Sequence, residues 1–224
     1  NPCLFGVPVR VWPRAPPNYA YNYMIDIIKY SKKNKFYHFI ATKILRIDIR
    51  LLSKPLFLKY NVELNLTEDF FYDYKNKIPL TKWMTMKESG QLYQSNHDLN
   101  KFLQMKKSIA IFEKILNQEV KTSIFKEKTS GKFKIKNIWF SIQKENEGHP
   151  SHNHPKSILS GVYYFKIDKD SGGEINLDLE NKKIKHTPHK SDLLIFNSNI
   201  YHYVSPYLGK NDRIAIAWDA IYTF

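Results

Sequence analysis

The alternation of apolar and polar residues after Gly131 is the feature that most constrains the fold of this 224-residue chain. Over residues 132–142 the side chains alternate in character, as they do in a strand whose two faces meet different surroundings. Several short strands at this spacing predict an antiparallel barrel or jelly roll. Shorter segments of the same kind follow, with turn residues between them, at 161–167, 174–179, 192–196 and 214–218.

The chain before Gly131 has a different periodicity. Apolar residues recur at helical spacing within 19–58. A second helix is predicted from a cap at Asn96 or Asp98 to about Gln118. The order of elements, helical first and β-rich second, indicates an α+β fold.

The domain organisation follows from this order. We expect residues 1–130 to be mostly helical and to pack on a β-rich core formed by residues 131–224, in one continuous domain. A short edge strand is expected within 4–12, in the proline-rich start of the chain.

Composition excludes several classes of protein. The contents of 42% hydrophobic and 15% aromatic residues support a packed core. There is no apolar run near 18 residues, so we expect no membrane span, and we recognise no signal peptide. The single cysteine, Cys3, excludes a disulfide framework and a cysteine-based zinc site, which favours a cytoplasmic protein.

The net charge of +14 raises the question of nucleic acid as a partner. The cations are spread along the whole chain, however, and only five of them are arginines. Nucleic-acid sites that read sequence favour arginine and concentrated patches. A solubilising lysine surface is therefore the favoured interpretation, and we do not expect nucleic acid as a partner.

Six of the eight histidines lie between positions 149 and 202. One residue separates His152 from His154, so in an extended segment their side chains share a face, with the Cα atoms about 6–7 Å apart. Two imidazoles at this separation can bind one metal ion. His202 follows the apolar segment 193–196 and is placed to supply a third nitrogen.

An isolated His-x-His pair also fits a histidine-rich surface loop, because glycine and proline residues flank it. A retained arginine adds to the evidence for a site. Arg213 follows His202 by eleven residues and is the only arginine after Arg50, although lysine is used almost everywhere else. A guanidinium is suited to bidentate binding of a carboxylate. The alternative is a surface ion pair with Asp212 or Glu174.

In this order, the residues resemble a known family, the bacterial and phage 2-oxoglutarate/iron(II) oxygenases. The likeness is specific after Trp139 because order, spacing and flanking residues agree. It is weaker at 90–95, and in the first eighty residues it is confined to 4–9. The segments that carry it are 152–164 (HNHPKSILSGVYY), 193–198 (LLIFNS), 202–204 (HYV) and 213–215 (RIA).

This resemblance implies a double-stranded β-helix, the jelly-roll barrel of the superfamily, braced by helices from the N-terminal half. It also implies Fe(II) and 2-oxoglutarate as cofactors, O2 as a co-substrate, and hydroxylation with release of succinate and CO2. By the same resemblance His152 and His202 are metal ligands. Arg213 would bind the distal carboxylate of 2-oxoglutarate, helped by a hydroxyl from Tyr163 or Tyr164.

The sequence departs from the family at two positions. His154 stands where most relatives carry Asp or Glu. Either His154 is the third ligand, or a carboxylate such as Glu174 or Asp178 completes the site and His154 supports it from outside. The other departure is Ala215, where relatives often place a serine that contacts the same carboxylate as the arginine.

Two other functions stay open at this point. One is a cupin-like metal protein that does not use 2-oxoglutarate, although the glutamate that usually follows the second histidine is absent. The other is a basic nucleic-acid-binding module in which the histidines are incidental. The residues do not specify a substrate or an oligomeric state. The family's similarity to prolyl hydroxylases makes a peptide or protein side chain the expected substrate class.

Overall fold

The chain consists of two compact units, Asn1–Leu52 and Ser53–Phe224. The computed structural model describes residues 3–4, 7–8, 56–77, 92–121, 131–179 and 182–223.

In the first unit the described residues form one antiparallel pair, β1 (Cys3–Leu4) and β2 (Val7–Pro8). The remainder of the strand predicted within 4–12, and nearly all of the helix predicted within 19–58, lie outside the described residues. How residues 1–130 as a whole are arranged on the core therefore stays a prediction.

The second unit contains ten strands within its described residues. Their bounds are β3 (Phe57–Asn61), β4 (Tyr93–Gln94), β5 (Lys132–Gln143), β6 (His149–His152), β7 (Leu159–Lys166), β8 (Ile175–Leu179), β9 (Lys182–His186), β10 (Asp192–Asn197), β11 (Tyr201–Val204) and β12 (Arg213–Thr223).

These strands form two antiparallel sheets. The larger sheet has the order β3-β10-β7-β12-β5-β4, and the smaller one has the order β6-β11-β8-β9. From β5 to β12 the chain crosses from one sheet to the other at every step except the hairpin from β8 to β9. This connectivity is that of a jelly roll, or double-stranded β-helix, so the predicted fold class is confirmed.

Three helical elements precede β5 in the described part of this unit. The second helix predicted from the sequence is present, but its regular part begins later than expected. Asp98 precedes a 3₁₀ turn and makes an ion pair with Lys101, and its side chain caps no helix. The elements are α1 (Glu68–Lys77), the 3₁₀ turn Leu99–Lys101, and α2 (Leu103–Ile115), which continues as one π-helical turn, Leu116–Val120.

Both helices pack on the outer face of the larger sheet through aromatic side chains. Phe112 of α2 lies 5.9 Å from the ring of Tyr163 and 6.0 Å from that of Trp218. Phe71 of α1 meets Phe140 of β5 edge to face at 5.0 Å. Since alternate strand residues face opposite sides, the neighbours of these sheet residues point inward. No helix among the described residues is long and apolar enough to cross a membrane.

The inner face of the larger sheet carries buried polar side chains on β5, β7 and β12. Arg213 is the cross-strand partner of Gln143, and Asp219 is the partner of Ser160. Small residues such as Ala215 lie between these two polar ends and leave space. The inward residues are Trp139, Ser141 and Gln143 on β5, Ser160, Val162 and Tyr164 on β7, and Arg213, Ala215, Ala217 and Asp219 on β12.

Candidate metal centre and co-substrate pocket

Three histidines converge at one end of this interior. His152 is the last residue of β6 and is the cross-strand partner of His202 on β11. His154 lies two residues beyond β6, and its backbone N–H donates a hydrogen bond of 2.7 Å to the carbonyl of Ser198. The candidate ligand atoms of the three histidines all lie within 4.8 Å of one another. One metal ion can therefore contact all three imidazoles.

Two of these imidazoles are held by backbone carbonyls. His152 Nδ1 is 2.8 Å from the carbonyl oxygen of Pro150, and His202 Nδ1 is 3.0 Å from that of Ile200. When Nδ1 carries the proton and donates it to the carbonyl, Nε2 keeps its lone pair free for a metal ion. The backbone thus selects the tautomer that binds metal.

Burial keeps these two rings neutral. Burial, with smaller contributions from the neighbouring imidazoles of His149 and His202, lowers the pKa of His152 to about 3. Burial likewise lowers the pKa of His202 to about 4. At neutral pH both rings are available as neutral ligands, which is the form that a metal ion requires.

The two carboxylates considered from the sequence as third ligands lie elsewhere. Glu174 makes an ion pair with Lys185 at 2.9 Å, and Asp178 is exposed on β8. The carboxylate that does contact the triad is Asp219, whose Oδ2 is 3.4 Å from His154 Nδ1. The geometry therefore favours three nitrogen ligands with a carboxylate behind one of them.

At the other end of the interior, Arg213 and Tyr164 form a buried pair. Arg213 is 2% exposed, its Nη1 donates to the side-chain oxygen of Gln143, and its guanidinium lies 5.0 Å from the centre of the Tyr164 ring. Among the described residues, Arg213 Nε and Tyr164 Oη are buried without a well-formed hydrogen bond to any third residue. Burial raises the pKa of Tyr164 to about 12, so the phenol keeps its proton. Unpaired buried donors of this kind fit an anionic ligand such as a carboxylate.

The strand register decides between the two candidate tyrosines. Tyr164 lines the interior beside Arg213, whereas Tyr163 faces the opposite side and packs against Phe112 of α2. Of the two tyrosines considered from the sequence, only Tyr164 has its hydroxyl on the side of the sheet that faces the cavity. Ser141, the cross-strand partner of Ala215, lines the same cavity. Its hydroxyl lies next to the position where relatives often carry a serine.

One cavity joins the two ends. It is lined by the three histidines, by Tyr164 and by Arg213. His149 also lines it, with its ring 4.2 Å from that of His152. A groove of about 410 Å³ adjoins the cavity and shares residues with it. The shared residues are Leu92, Gln94, Trp139, His149, His152 and His154.

Sequence reasoning missed two side chains of this interior, Gln143 and Asp219. Each stands one residue beyond the end of a predicted strand, 132–142 in one case and 214–218 in the other. Extending each alternation by one step would have added Gln143 to the face of Trp139 and Ser141, and Asp219 to the face of Arg213. The signal was therefore present in the inward periodicity of β5 and β12.

Comparison with known proteins agrees with this geometry. Residues 137–187 match the sequence family described as "Putative 2OG-Fe(II) oxygenase". No curated protein sequence matches the chain.

Several solved structures share the fold. A Pseudomonas putida prolyl-4-hydroxylase is similar with a TM-score of 0.55 and 13% identity, over 78% of this chain and 97% of that protein. A Trichoplax adhaerens prolyl hydroxylase, in complex with a hypoxia-inducible-factor peptide fragment, has a TM-score of 0.54 and 15% identity, over 85% and 95%. The carbocyclase SnoK from nogalamycin biosynthesis, which depends on alpha-ketoglutarate, has a TM-score of 0.57 and 7% identity, over 78% and 83%.

At these identities the solved structures show the fold alone, the double-stranded β-helix of 2-oxoglutarate oxygenases. The family match in the histidine-bearing segment adds the class of enzyme. The predicted resemblance to 2-oxoglutarate/Fe(II) oxygenases is thereby confirmed by the family match over residues 137–187, and with it the predicted cofactors, Fe(II) and 2-oxoglutarate, and O2 as co-substrate.

Proposed function

We propose that this oxygenase hydroxylates a side chain of a peptide or protein, and that His152, His154 and His202 bind its Fe(II) while Arg213 and Tyr164 bind 2-oxoglutarate. The observation that carries the proposal is a single cavity with three convergent imidazoles at one end and an unpaired buried guanidinium and phenol at the other. Because both sets of groups line the same cavity, one co-substrate could contact the metal at one end and present a carboxylate to Arg213 at the other.

The cofactors, when bound, supply the oxidising chemistry, in which O2 and 2-oxoglutarate yield succinate, CO2 and a hydroxylated substrate. The residues of the chain bind and orient the cofactors and exclude water from the site. Arg213 neutralises the distal carboxylate, and the Tyr164 hydroxyl donates to the same group. Gln143 fixes the guanidinium by accepting from Nη1. Phe196, 4.9 Å from the ring of His202, limits the access of water to the metal end.

A peptide substrate is supported by the groove beside the metal end. Its wall includes the flat side chains of Trp139 and His97, which stack at 4.4 Å, together with Pro150 and Pro155. An extended chain can lie along such a surface while one of its side chains reaches the histidines. The Trichoplax adhaerens relative in complex with a peptide fragment shares this fold.

The cupin-like alternative without 2-oxoglutarate fits three histidines equally well. It leaves the buried pair of Arg213 and Tyr164 without a ligand, and two unpaired buried donors are costly. The nucleic-acid alternative gives no role to the convergent imidazoles.

The test is formation of succinate from 2-oxoglutarate in the presence of Fe(II), with and without candidate peptides. We expect turnover to require both cofactors and to rise with a true substrate. Absence of turnover, combined with no change in metal absorbance on adding 2-oxoglutarate, would contradict the proposal.

The variant Arg213→Ala distinguishes 2-oxoglutarate binding from metal binding. We expect a loss of 2-oxoglutarate affinity of about 10- to 100-fold, because a charge-assisted hydrogen bond contributes about 1.5–3 kcal/mol. Metal affinity should stay unchanged, since Arg213 lies at the opposite end of the cavity. Titration calorimetry with Mn(II) and then with 2-oxoglutarate measures both, and unchanged affinity for 2-oxoglutarate would refute the role of Arg213.

A further inference from the structure

We propose that Asp219, acting through His154, supplies the negative charge that a carboxylate ligand supplies in the usual metal triad of this fold. The inference rests on the proposed three-histidine ligation. Asp219 is a positioning residue here, because its carboxylate contacts a ligand and does not contact the metal.

The strand geometry brings Asp219 to this place. It is the fourth inward residue of β12 in the series that begins at Arg213. Its side chain is 7% exposed, and a hydroxyl from its cross-strand partner Ser160 donates to Oδ1 at 2.8 Å. This hydrogen bond leaves Oδ2 pointing to His154 Nδ1, at 3.4 Å.

In the described part of the chain the Asp219 carboxylate pairs with no lysine or arginine. Its hydrogen-bond and ion-pair partners there are Ser160 and His154, and the only other ring nitrogens on which its charge acts belong to His97 and His202. A buried carboxylate is costly without a cation. A metal ion held by His154 would provide that cation, because it makes the Nδ1 proton of the ring a stronger donor.

His154 differs from the other two histidines in this respect. The Nδ1 atoms of His152 and His202 face the neutral carbonyls of Pro150 and Ile200. His154 alone of the three faces a carboxylate. A dication bound by three neutral imidazoles keeps its full charge. Asp219 offsets part of that charge through the imidazole ring of His154, which lies between the carboxylate and the metal.

The experiment compares wild type with Asp219→Asn, which keeps the size of the side chain and removes its charge. We expect the affinity for Co(II), measured by calorimetry, to fall about 10- to 100-fold, the usual effect of removing an outer partner of a ligand. The visible absorption of bound Co(II) should shift as well, because the His154 ring becomes a weaker donor to the metal.

Ser160→Ala is the matched control. It removes the neutral hydrogen bond to the same carboxylate and keeps the charge, so we expect a loss of affinity of only about 2- to 5-fold. Equal losses in both variants would overturn the proposal, since the charge would then not be the cause.

Melting temperatures without metal exclude a purely structural role. We expect metal-free Asp219→Asn to melt at or above the temperature of wild type, because it removes a buried charge that has no cation. A lower melting temperature without metal, or unchanged Co(II) affinity and absorption, would overturn the role of Asp219 and leave the proposed function standing. Absence of Co(II) binding by wild type would instead refute the metal centre on which both proposals rest.

Discussion

Two neighbouring tyrosines on β7 have different surroundings because successive strand residues face opposite sides of a sheet. Tyr164 points into the cavity with an unpaired hydroxyl, and Tyr163 packs beneath α2. Removing the hydroxyl of each tyrosine in turn therefore tests which face of the sheet binds the co-substrate, because both substitutions change the side chain by the same amount.

We predict that Tyr164→Phe weakens 2-oxoglutarate binding about 3- to 10-fold, the loss of one hydrogen bond, and that Tyr163→Phe leaves it unchanged. Fluorescence or calorimetric titration of the Mn(II)-loaded protein with 2-oxoglutarate measures the difference. Equal behaviour of the two variants would show that Tyr164 does not contact the co-substrate.

At this scale the sequence predicted which histidines meet, because the spacing of His152 and His154 and the strand before His202 left few alternatives. It left His154 and a carboxylate such as Glu174 as competing ligands. The choice between them depends on which strands pair and in what register. Local periodicity does not determine how distant segments pair.

At the scale of elements, the buried carboxylate of Asp192, at the start of β10, connects β10 with β3 and β9. Asp192 is 3.0 Å from Lys59 Nζ and 3.1 Å from His186 Nε2, and it accepts a hydrogen bond of 3.0 Å from the backbone N–H of His189. Burial alone would raise the pKa of Asp192. The hydrogen bonds from Lys59, His189 and His186 outweigh it, so the pKa is lowered.

This lowered pKa predicts a pH-dependent contribution to stability. Because the carboxyl holds its proton less tightly in the folded state, the contribution is complete above the pKa of the unfolded chain, about 3.9, and is lost as the pH falls through the folded value. We expect Asp192→Asn to be less stable than wild type at pH 7, with the difference shrinking below about pH 4.

Urea unfolding of wild type and Asp192→Asn between pH 3 and 7 measures this difference. Asp178→Asn, at an exposed position on β8, is the control for removing a carboxylate. A difference that stays constant across the pH range would contradict the assigned role of Asp192.

Strand prediction succeeded where a segment was apolar or alternating, even when the segment was short, and failed where that pattern was absent. The strand predicted over 132–142 is β5, and the one over 192–196 is β10. The short strand β4 and the strand β9, with three lysines among its five residues, carry no apolar alternation. Their pairing partners define them, so a local pattern could not.

In the molecule as a whole, the site and the stability of the Ser53–Phe224 unit are linked. Ligands that bind only the folded state stabilise it by about 2.7 kcal/mol at a concentration 100 times their dissociation constant. For a domain of this size, that corresponds to a rise in melting temperature of about 5–10 °C.

We therefore predict that Mn(II) and 2-oxoglutarate, each at about 100 times its dissociation constant, each raise the melting temperature by about this amount. In Arg213→Ala, at the same ligand concentrations, the part due to 2-oxoglutarate should fall to about half or less, while the part due to Mn(II) remains. Differential scanning calorimetry measures both parts. An equal response of wild type and Arg213→Ala to 2-oxoglutarate would contradict the two-ended site.

The positions of the inward-facing residues on β12 limit where this protein can tolerate insertions and deletions. Arg213 and Asp219 both face the cavity because they lie six positions apart along one strand, and residues an even number of positions apart share a face. An insertion or deletion of one residue between them would turn one of the two charges toward the helices. Length variation at this point would therefore abolish one end of the site, whereas the loops between strands are free to lengthen. We expect engineered changes of specificity to succeed in those loops and to fail within residues 214–218.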